Sequence, residues 1–277
     1  MKRKILLICI IVLLVVFVGS FVGIGVVLYR YHQADVLYDN LQDRYVTYAP
    51  GPSQAPSKPS QAESGAPSGE DPGDDLPGEL TPEPVEPEYA PISVNFDLLL
   101  AENSDVVGWL YCEDTPINYP VMRSLDNEDY LHRDLNGKYL YSGSLFVDYR
   151  CSAVDTGGNY IIYGHNMKND TMFGTLDEYK KQGYFDEHPV FYYLTPEGDY
   201  KVELFAGLVT KSDSEVYNLY YPETEAYVSF LRNLQENSTF RSDVAVTEED
   251  RIVTLSTCSY EFSNARYTVF GKLTALG

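Results

Sequence analysis

The run Ile252-Val253-Thr254-Leu255-Ser256-Thr257-Cys258 decides the fold class. It is too short for an ordinary helix and is dominated by β-branched and aliphatic side chains, so it reads as a buried strand. A strand is rigid and its end meets solvent, so Cys258 stands on a good platform for a nucleophile. A buried structural cysteine fits the same run, and the surrounding sequence must decide between them.

Two neighbouring runs add weight to the nucleophile. Asn159-Tyr160-Ile161-Ile162-Tyr163-Gly164 is a second strand ending in a turn, and His165 follows it. A cysteine nucleophile needs a thiolate and its leaving group needs a proton donor. Histidine has the ordinary pKa for that work. Arg266 opens the last strand, a short loop after Cys258. A guanidinium there would stabilise an oxyanion and favour thiolate over thiol. Taken singly, His165 and Arg266 are ordinary surface or structural residues; their joint placement at strand ends is what suggests chemistry.

From residue 92 onward Tyr, Phe, Val, Ile and Leu recur between closely spaced turns. The pattern predicts strands at 107–111, 117–121, 144–148, 159–163, 190–195, 200–210, 251–257 and 266–275, with Glu197-Gly198-Asp199 as a hairpin turn. Asn95 is placed to cap a helix through Glu102. Residues 171–180 form a second helical candidate. Pro222 suits a first helical position, and the run after it puts Tyr227, Phe230, Leu231 and Leu234 on one face. The expected fold is mainly β, a closed barrel with helices in its connections and a helical N-terminal extension, since closure removes exposed sheet edges.

Residues 5–28 carry no charged side chain. About 20 apolar residues span a bilayer core, so this run is long enough. Lys2, Arg3 and Lys4 precede it, which puts the N-terminus in the cytoplasm and the rest outside. A cleaved signal peptide has a shorter apolar region and a small-residue cleavage site, and no clear Ala-x-Ala site follows here. Residues 1–30 are therefore read as a cytoplasmic tip and retained anchor. Residues 31–91 are read as a short juxtamembrane helix and a Pro-, Gly-, Ser- and Glu-rich tether. Its 49–91 stretch has too few apolar side chains to offset the entropy of ordering. Residues 92–277 are read as the catalytic domain.

The net charge of −21 argues against a nucleic-acid partner, and much of the acid lies within the tether. Cys112, Cys151 and Cys258 lie beyond the span, an odd set that leaves at least one free thiol. Cys112 and Cys151 read as plain thiols, although sequence cannot settle whether they pair. His32, His132 and His188 lack the spacing of a zinc site, and neither a metal nor a cofactor is expected.

Tyr163-Gly164-His165-Asn166-Met167, Thr254-Leu255-Ser256-Thr257-Cys258 and Asn264-Ala265-Arg266-Tyr267 together resemble the sortase family. Asn95-Phe96-Asp97 leading to Asp105-Val106-Val107-Gly108-Trp109-Leu110 is similar to the class B N-terminal extension and first strand. So are Asn118-Tyr119-Pro120-Val121, Tyr130-Leu131-His132-Arg133 and Met172-Phe173-Gly174 to further class B segments. The resemblance covers about 92–277. It implies an eight-stranded sortase-type barrel and a cysteine transpeptidase that cleaves surface proteins after Thr in a C-terminal sorting signal, of Asn-Pro-x-Thr or Ser-Pro-x-Thr type. Cys258 would match the nucleophile, His165 the proton-transfer group and Arg266 the oxyanion or substrate ligand. Tyr163, Ser256 and Thr257 would match positions near the motif groove. Glu261 is not assigned as a third catalytic member. The resolving amine would come from a peptidoglycan precursor or a pilin lysine, at a Gram-positive cell surface.

Other readings are a pilin polymerase, which changes only the acceptor, and an L,D-transpeptidase. The latter places His and Gly just before its cysteine, whereas Ser256 and Thr257 precede Cys258. A non-enzymatic adhesin on the same barrel is disfavoured by the complete Cys258, His165 and Arg266 set.

Overall fold

The computed structural model describes residues 2–49, 89–152 and 158–277. After helix α1 (Lys2–Tyr45) come two short strands, β1 (Val46–Tyr48) and β2 (Ile92–Val94), and helix α2 (Phe96–Glu102). The strands β3 (Val106–Tyr111), β4 (Asn118–Met122), β5 (Leu145–Val147) and β6 (Asn159–Tyr163) follow. Helix α3 (Gln182–Glu187) precedes β7 (Val190–Thr195) and β8 (Gly198–Lys211). Helix α4 (Thr224–Glu236) precedes β9 (Arg251–Cys258) and β10 (Ala265–Ala275). β3 to β10 close into a barrel in the order β10-β8-β7-β3-β4-β5-β6-β9, with β4–β5 and β6–β9 parallel and every other pair antiparallel.

All eight expected barrel strands are present, because each is an apolar run bounded by turn residues. The expected helix cap is also found: the Asn95 side chain accepts from the Leu98 N–H. Local details differ. The β7–β8 turn is Pro196-Glu197, since Thr195 already pairs with Gly198. Residues 174–180 wind as a 3-10 helix rather than joining one helix from 171. Pro222 lies outside α4, which is flanked by Glu223. The α4 face is as expected, with Tyr227, Phe230, Leu231 and Leu234 buried against Phe205, Ile252 and Phe270 on the barrel.

The larger difference concerns where the packed unit begins. The juxtamembrane helix is not separate from the apolar run: α1 is continuous through both. Its Ala34, Tyr38, Leu41 and Tyr45 form a stripe at helical spacing and are buried in the main core. The Tyr38 hydroxyl donates to the Gly143 carbonyl (2.5 Å), and the Gln42 amide to the Asn118 carbonyl (3.0 Å). β1 pairs antiparallel with β2, and the Ala49 N–H donates to the Pro91 carbonyl (2.8 Å). Residues 31–49 thus pack with the barrel, and a boundary at 92 cuts through this unit. The expectation of a disordered tether falls on 50–88, outside the described residues. Ala49 and Pro91, on either side of it, are hydrogen-bonded neighbours, and α1 packs on the barrel directly.

Candidate active site

β9 carries Cys258 at its end, and β10 returns antiparallel beside it, so that Arg266 stands directly opposite Cys258 in the ladder. Residues directly opposite in a ladder put their side chains on the same face, so both line the same cleft, where the Arg266 guanidinium donates to the Ala265 carbonyl (3.0 Å). β6 runs parallel to β9 on the other side, with Tyr163 opposite Ser256. The Gly164 N–H donates to the Ser256 carbonyl (3.1 Å), and the Thr257 hydroxyl to the Gly164 carbonyl (2.8 Å). These bonds fix the turn that presents His165 beside Cys258. Cys258, His165 and Arg266 line one cleft of about 220 Å³ together with Tyr163, Ser256 and Thr257.

His165 is held from outside this strand pair. Its Nε2 lies 2.8 Å from the Leu131 carbonyl oxygen, which only accepts, so Nε2 carries a proton and donates it. In the neutral ring Nδ1 is then the basic nitrogen. Leu131 is brought there by a tight loop. Gly143 has φ +57, and a Cβ at that position would run into the carbonyl oxygens of Leu131 and Tyr130. The ring of His132 stacks on His165, with centroids 5.2 Å apart and planes 16° apart. Burial lowers the His165 pKa below its ordinary value and the positive form of His132 lowers it further, against the raising effect of the Leu131 carbonyl.

The proposed groove residues are partly committed elsewhere. The Tyr163 hydroxyl donates to Asp148 (2.9 Å), whose carboxylate also takes a two-pronged contact from Arg150 (2.8 and 2.7 Å). Burial alone would raise the Asp148 pKa, but Arg150 and Tyr163 outweigh it and hold the carboxyl low. The Ser256 hydroxyl is hydrogen-bonded to the Tyr217 hydroxyl (2.9 Å), and the Tyr217 ring stacks on Tyr163. Tyr163 thus offers the cleft its ring, and the hydroxyls of Ser256 and Thr257 have protein partners.

Behind the cleft a polar network joins the two strand ends. The Asn166 amide donates to the Cys258 carbonyl (2.8 Å) and to Asp177 (3.1 Å). Lys180 contacts Asp177 (2.9 Å), Glu261 (2.5 Å) and Ser259 (3.1 Å). The Lys180 ammonium and the Ser259 hydroxyl hold Glu261 at a pKa of about 2. Glu261 therefore braces the loop between Cys258 and Arg266 and does not line the cleft. Cys112 and Cys151 are free, buried thiols, and burial raises both to about 11. Among the described residues no group of three or more His, Cys, Asp or Glu is placed to hold a metal ion.

Sequence reasoning missed Leu131, His132, Asn166 and Tyr217 as parts of this site. Asn166 was legible as the neighbour of His165. Leu131 and His132 lie together between β4 and β5, within the Tyr130-Leu131-His132-Arg133 segment that carries the class B resemblance, but that segment gave them no role at this site. Tyr217 comes from the connection between β8 and α4, which no local pattern marks.

A model of the Sortase domain matches residues 110–274. Sortase B of Listeria monocytogenes is 39% identical over 62% of this chain and 70% of its own length. Sortase B of Staphylococcus aureus is 33% identical over 64% and 74%. Among solved structures, the S. aureus sortase B–substrate complex superposes with a TM-score of 0.63 at 33% identity, covering 66% of this chain and 85% of that one. Sortase B from Clostridium perfringens gives 0.62 at 31%, covering 65% of this chain and 100% of its own. The domain match spans more than half of the chain, and the relatives that share its barrel over most of their length are class B: the chain belongs to the sortase family, with the class B members, and is a cysteine transpeptidase.

Proposed function

We propose that this chain cleaves a surface protein after Thr in a C-terminal sorting motif and joins it to a cell-wall peptidoglycan amine, from a barrel held outside the membrane by α1. The observation that carries the reading is the direct cross-strand pairing of Cys258 with Arg266, beside a cleft that His165 also lines. The Cys258 thiolate attacks the carbonyl carbon of the scissile amide. Arg266 stabilises the oxyanion that forms. The C–N bond breaks as His165 gives a proton to the departing amine, leaving a thioacyl on Cys258. The acceptor amine then attacks that carbonyl and loses a proton to His165. The C–S bond breaks, restoring the thiolate and leaving a new amide. The substrate complex known for S. aureus sortase B supports a peptide in this cleft, with Tyr163, Ser256 and Thr257 forming part of its wall.

The test is peptide cleavage with and without an added amine, followed by mass spectrometry of enzyme and product. Cys258→Ala should lose both cleavage and the thioacyl adduct. His165→Ala should lose about 10²–10⁴-fold. Arg266→Lys should lose on the order of 10²–10³-fold, because Lys lacks the planar fork of donors. Wild-type turnover in Cys258→Ala would overturn the assignment.

A further inference from the structure

The docking of α1 on the barrel fixes where the barrel sits relative to a membrane. The uncharged run 5–28 is about 36 Å long as a helix, somewhat more than a hydrocarbon core of about 30 Å. Contact with the barrel begins almost at once after it. Arg30 lies over the ring of Tyr141 (5.2 Å to the centroid), and Tyr31 already packs on the main core. Arg30 is only about 3 Å further along the axis than Leu28. The headgroup layer on each side of the core is about 5–7 Å thick, so Tyr141 lies within it.

The loop that carries Tyr141 is short and well tied. Arg133 pairs with Tyr139, the Leu140 N–H donates to the His132 carbonyl (3.0 Å), and Asp134 accepts from the N–H groups of Asn136 and Lys138. Even so, Tyr139 is 68% exposed and Tyr141 is 40% exposed. Tyrosine is enriched at membrane–water interfaces, where an apolar ring and a polar tip suit the headgroup layer. The loop also touches the candidate active site. His132 Nδ1 donates to the Tyr141 carbonyl (3.2 Å), and the His132 ring contacts those of both Tyr139 (5.9 Å) and His165 (5.2 Å).

We infer that the barrel face formed by Tyr139, Tyr141 and the first barrel-packed turn of α1 rests on the phospholipid headgroup layer, with the candidate active site presented at the bilayer surface. The inference rests on the reading of α1 as a membrane span and adds an interaction surface on the barrel itself. It is the opposite of a domain lifted off the membrane on a long tether.

The test uses the full-length chain in phosphatidylcholine–phosphatidylglycerol bilayers, with quenching spin labels on the headgroup or deep in the acyl chain. The chain has a single tryptophan, Trp109, which is fully buried and supplies a constant background. Tyr139→Trp places a reporter on the proposed face. Glu197→Trp places one at the β7–β8 turn. That turn shares a cleft with Leu100 of α2, and Glu102 of α2 pairs with Arg44, about 21 Å further along α1 than Arg30. Phe21→Trp reports the span. The expected result is that headgroup labels remove most of the emission added by Tyr139→Trp and leave that of Glu197→Trp intact, while deep labels quench Phe21→Trp. If Phe21→Trp is quenched and Tyr139→Trp is not, or if Tyr139→Trp and Glu197→Trp are quenched alike, the docking face is wrong while the anchor stands. If Phe21→Trp is not quenched, the anchor itself is wrong and the inference falls with it.

Discussion

The imidazole rings of His132 and His165 are stacked 5.2 Å apart, and the second is fixed by the Leu131 carbonyl from the neighbouring position in the chain. A positive charge on either ring disfavours a proton on the other. His132→Gln should therefore raise the His165 pKa. An NMR titration of ring-labelled protein reads this directly, with Arg266 and Cys258 left in place along the cleft. An unchanged or lowered His165 pKa would remove the electrostatic part of the argument.

The same low pKa makes a stability prediction. Because native His165 binds a proton less readily than the unfolded chain, the unfolded state takes up its proton first as pH falls. The contribution is complete above the ordinary histidine value of about 6.5 and is lost as pH drops from there towards the lower native value. Thermal melts between about pH 7.5 and 5.5 should show stability falling with pH. His165→Gln should flatten that slope. A variant with an unchanged slope would assign it to other groups.

Asn166 joins the turn after β6 to the end of β9 through the Cys258 carbonyl and does not line the cleft, so its place is behind the candidate pair, as a positioning residue. A misplacement of about 1 Å near reacting atoms costs on the order of 10²-fold. Asn166→Ala should lower kcat by roughly that factor, with a stability loss of about 1–3 kcal/mol for the unpaired groups left behind. Asn166→Asp should be worse, since it sets a second carboxylate against Asp177 and an acceptor against a carbonyl. Loss of stability with full kcat would mark Asn166 as purely structural.

What could be read from the chain, and what could not, follows from the range of the interactions. The barrel strands were legible because their signal is local: each is a short apolar run between turns. Cys258 and Arg266 were legible as neighbours because a short loop joins them. The docking of α1 was not. Tyr38 and Tyr45 hold half of its buried stripe, the apolar Val36 lies off the stripe and is exposed, which blurs the helical period, and β1 pairs with β2 only across 50–88. The stack of His132 on His165 needs a loop that folds over from beyond β4, and the position of that loop depends on contacts such as Tyr38 with Gly143.

That docking predicts where the chain can be cut. A fragment starting at 31 keeps the buried stripe and β1, whereas one starting at 92 loses both. Deleting one buried Leu side chain typically costs about 2–5 kcal/mol, and domains of this kind hold only about 5–15 kcal/mol in total. The 31–277 fragment should melt cooperatively. The 92–277 fragment should melt about 10 °C lower or more, or fail to fold. Equal melting temperatures would restore the boundary expected from composition.

Thiol reactivity separates the three cysteines of the 31–277 fragment. Burial raises Cys112 and Cys151 to about 11, and each sits against a backbone carbonyl: Cys112 near Val190 (3.5 Å), Cys151 near Asn159 (4.0 Å), where the charges of Arg150 and Arg123 offset the burial only in part. Both are therefore held largely as thiols at pH 8, and the thiolate is the reacting form. Cys258 alone is half-buried and lines the cleft with Arg266 and His165. Iodoacetamide on the native fragment should thus modify one cysteine, identified by peptide mapping as Cys258, and all three after denaturation. Blocking Cys258 should abolish cleavage, while Cys112→Ala and Cys151→Ala should keep turnover near wild type. Modification of Cys112 or Cys151 ahead of Cys258 would show that burial does not control access here, and the choice of nucleophile would have to be remade.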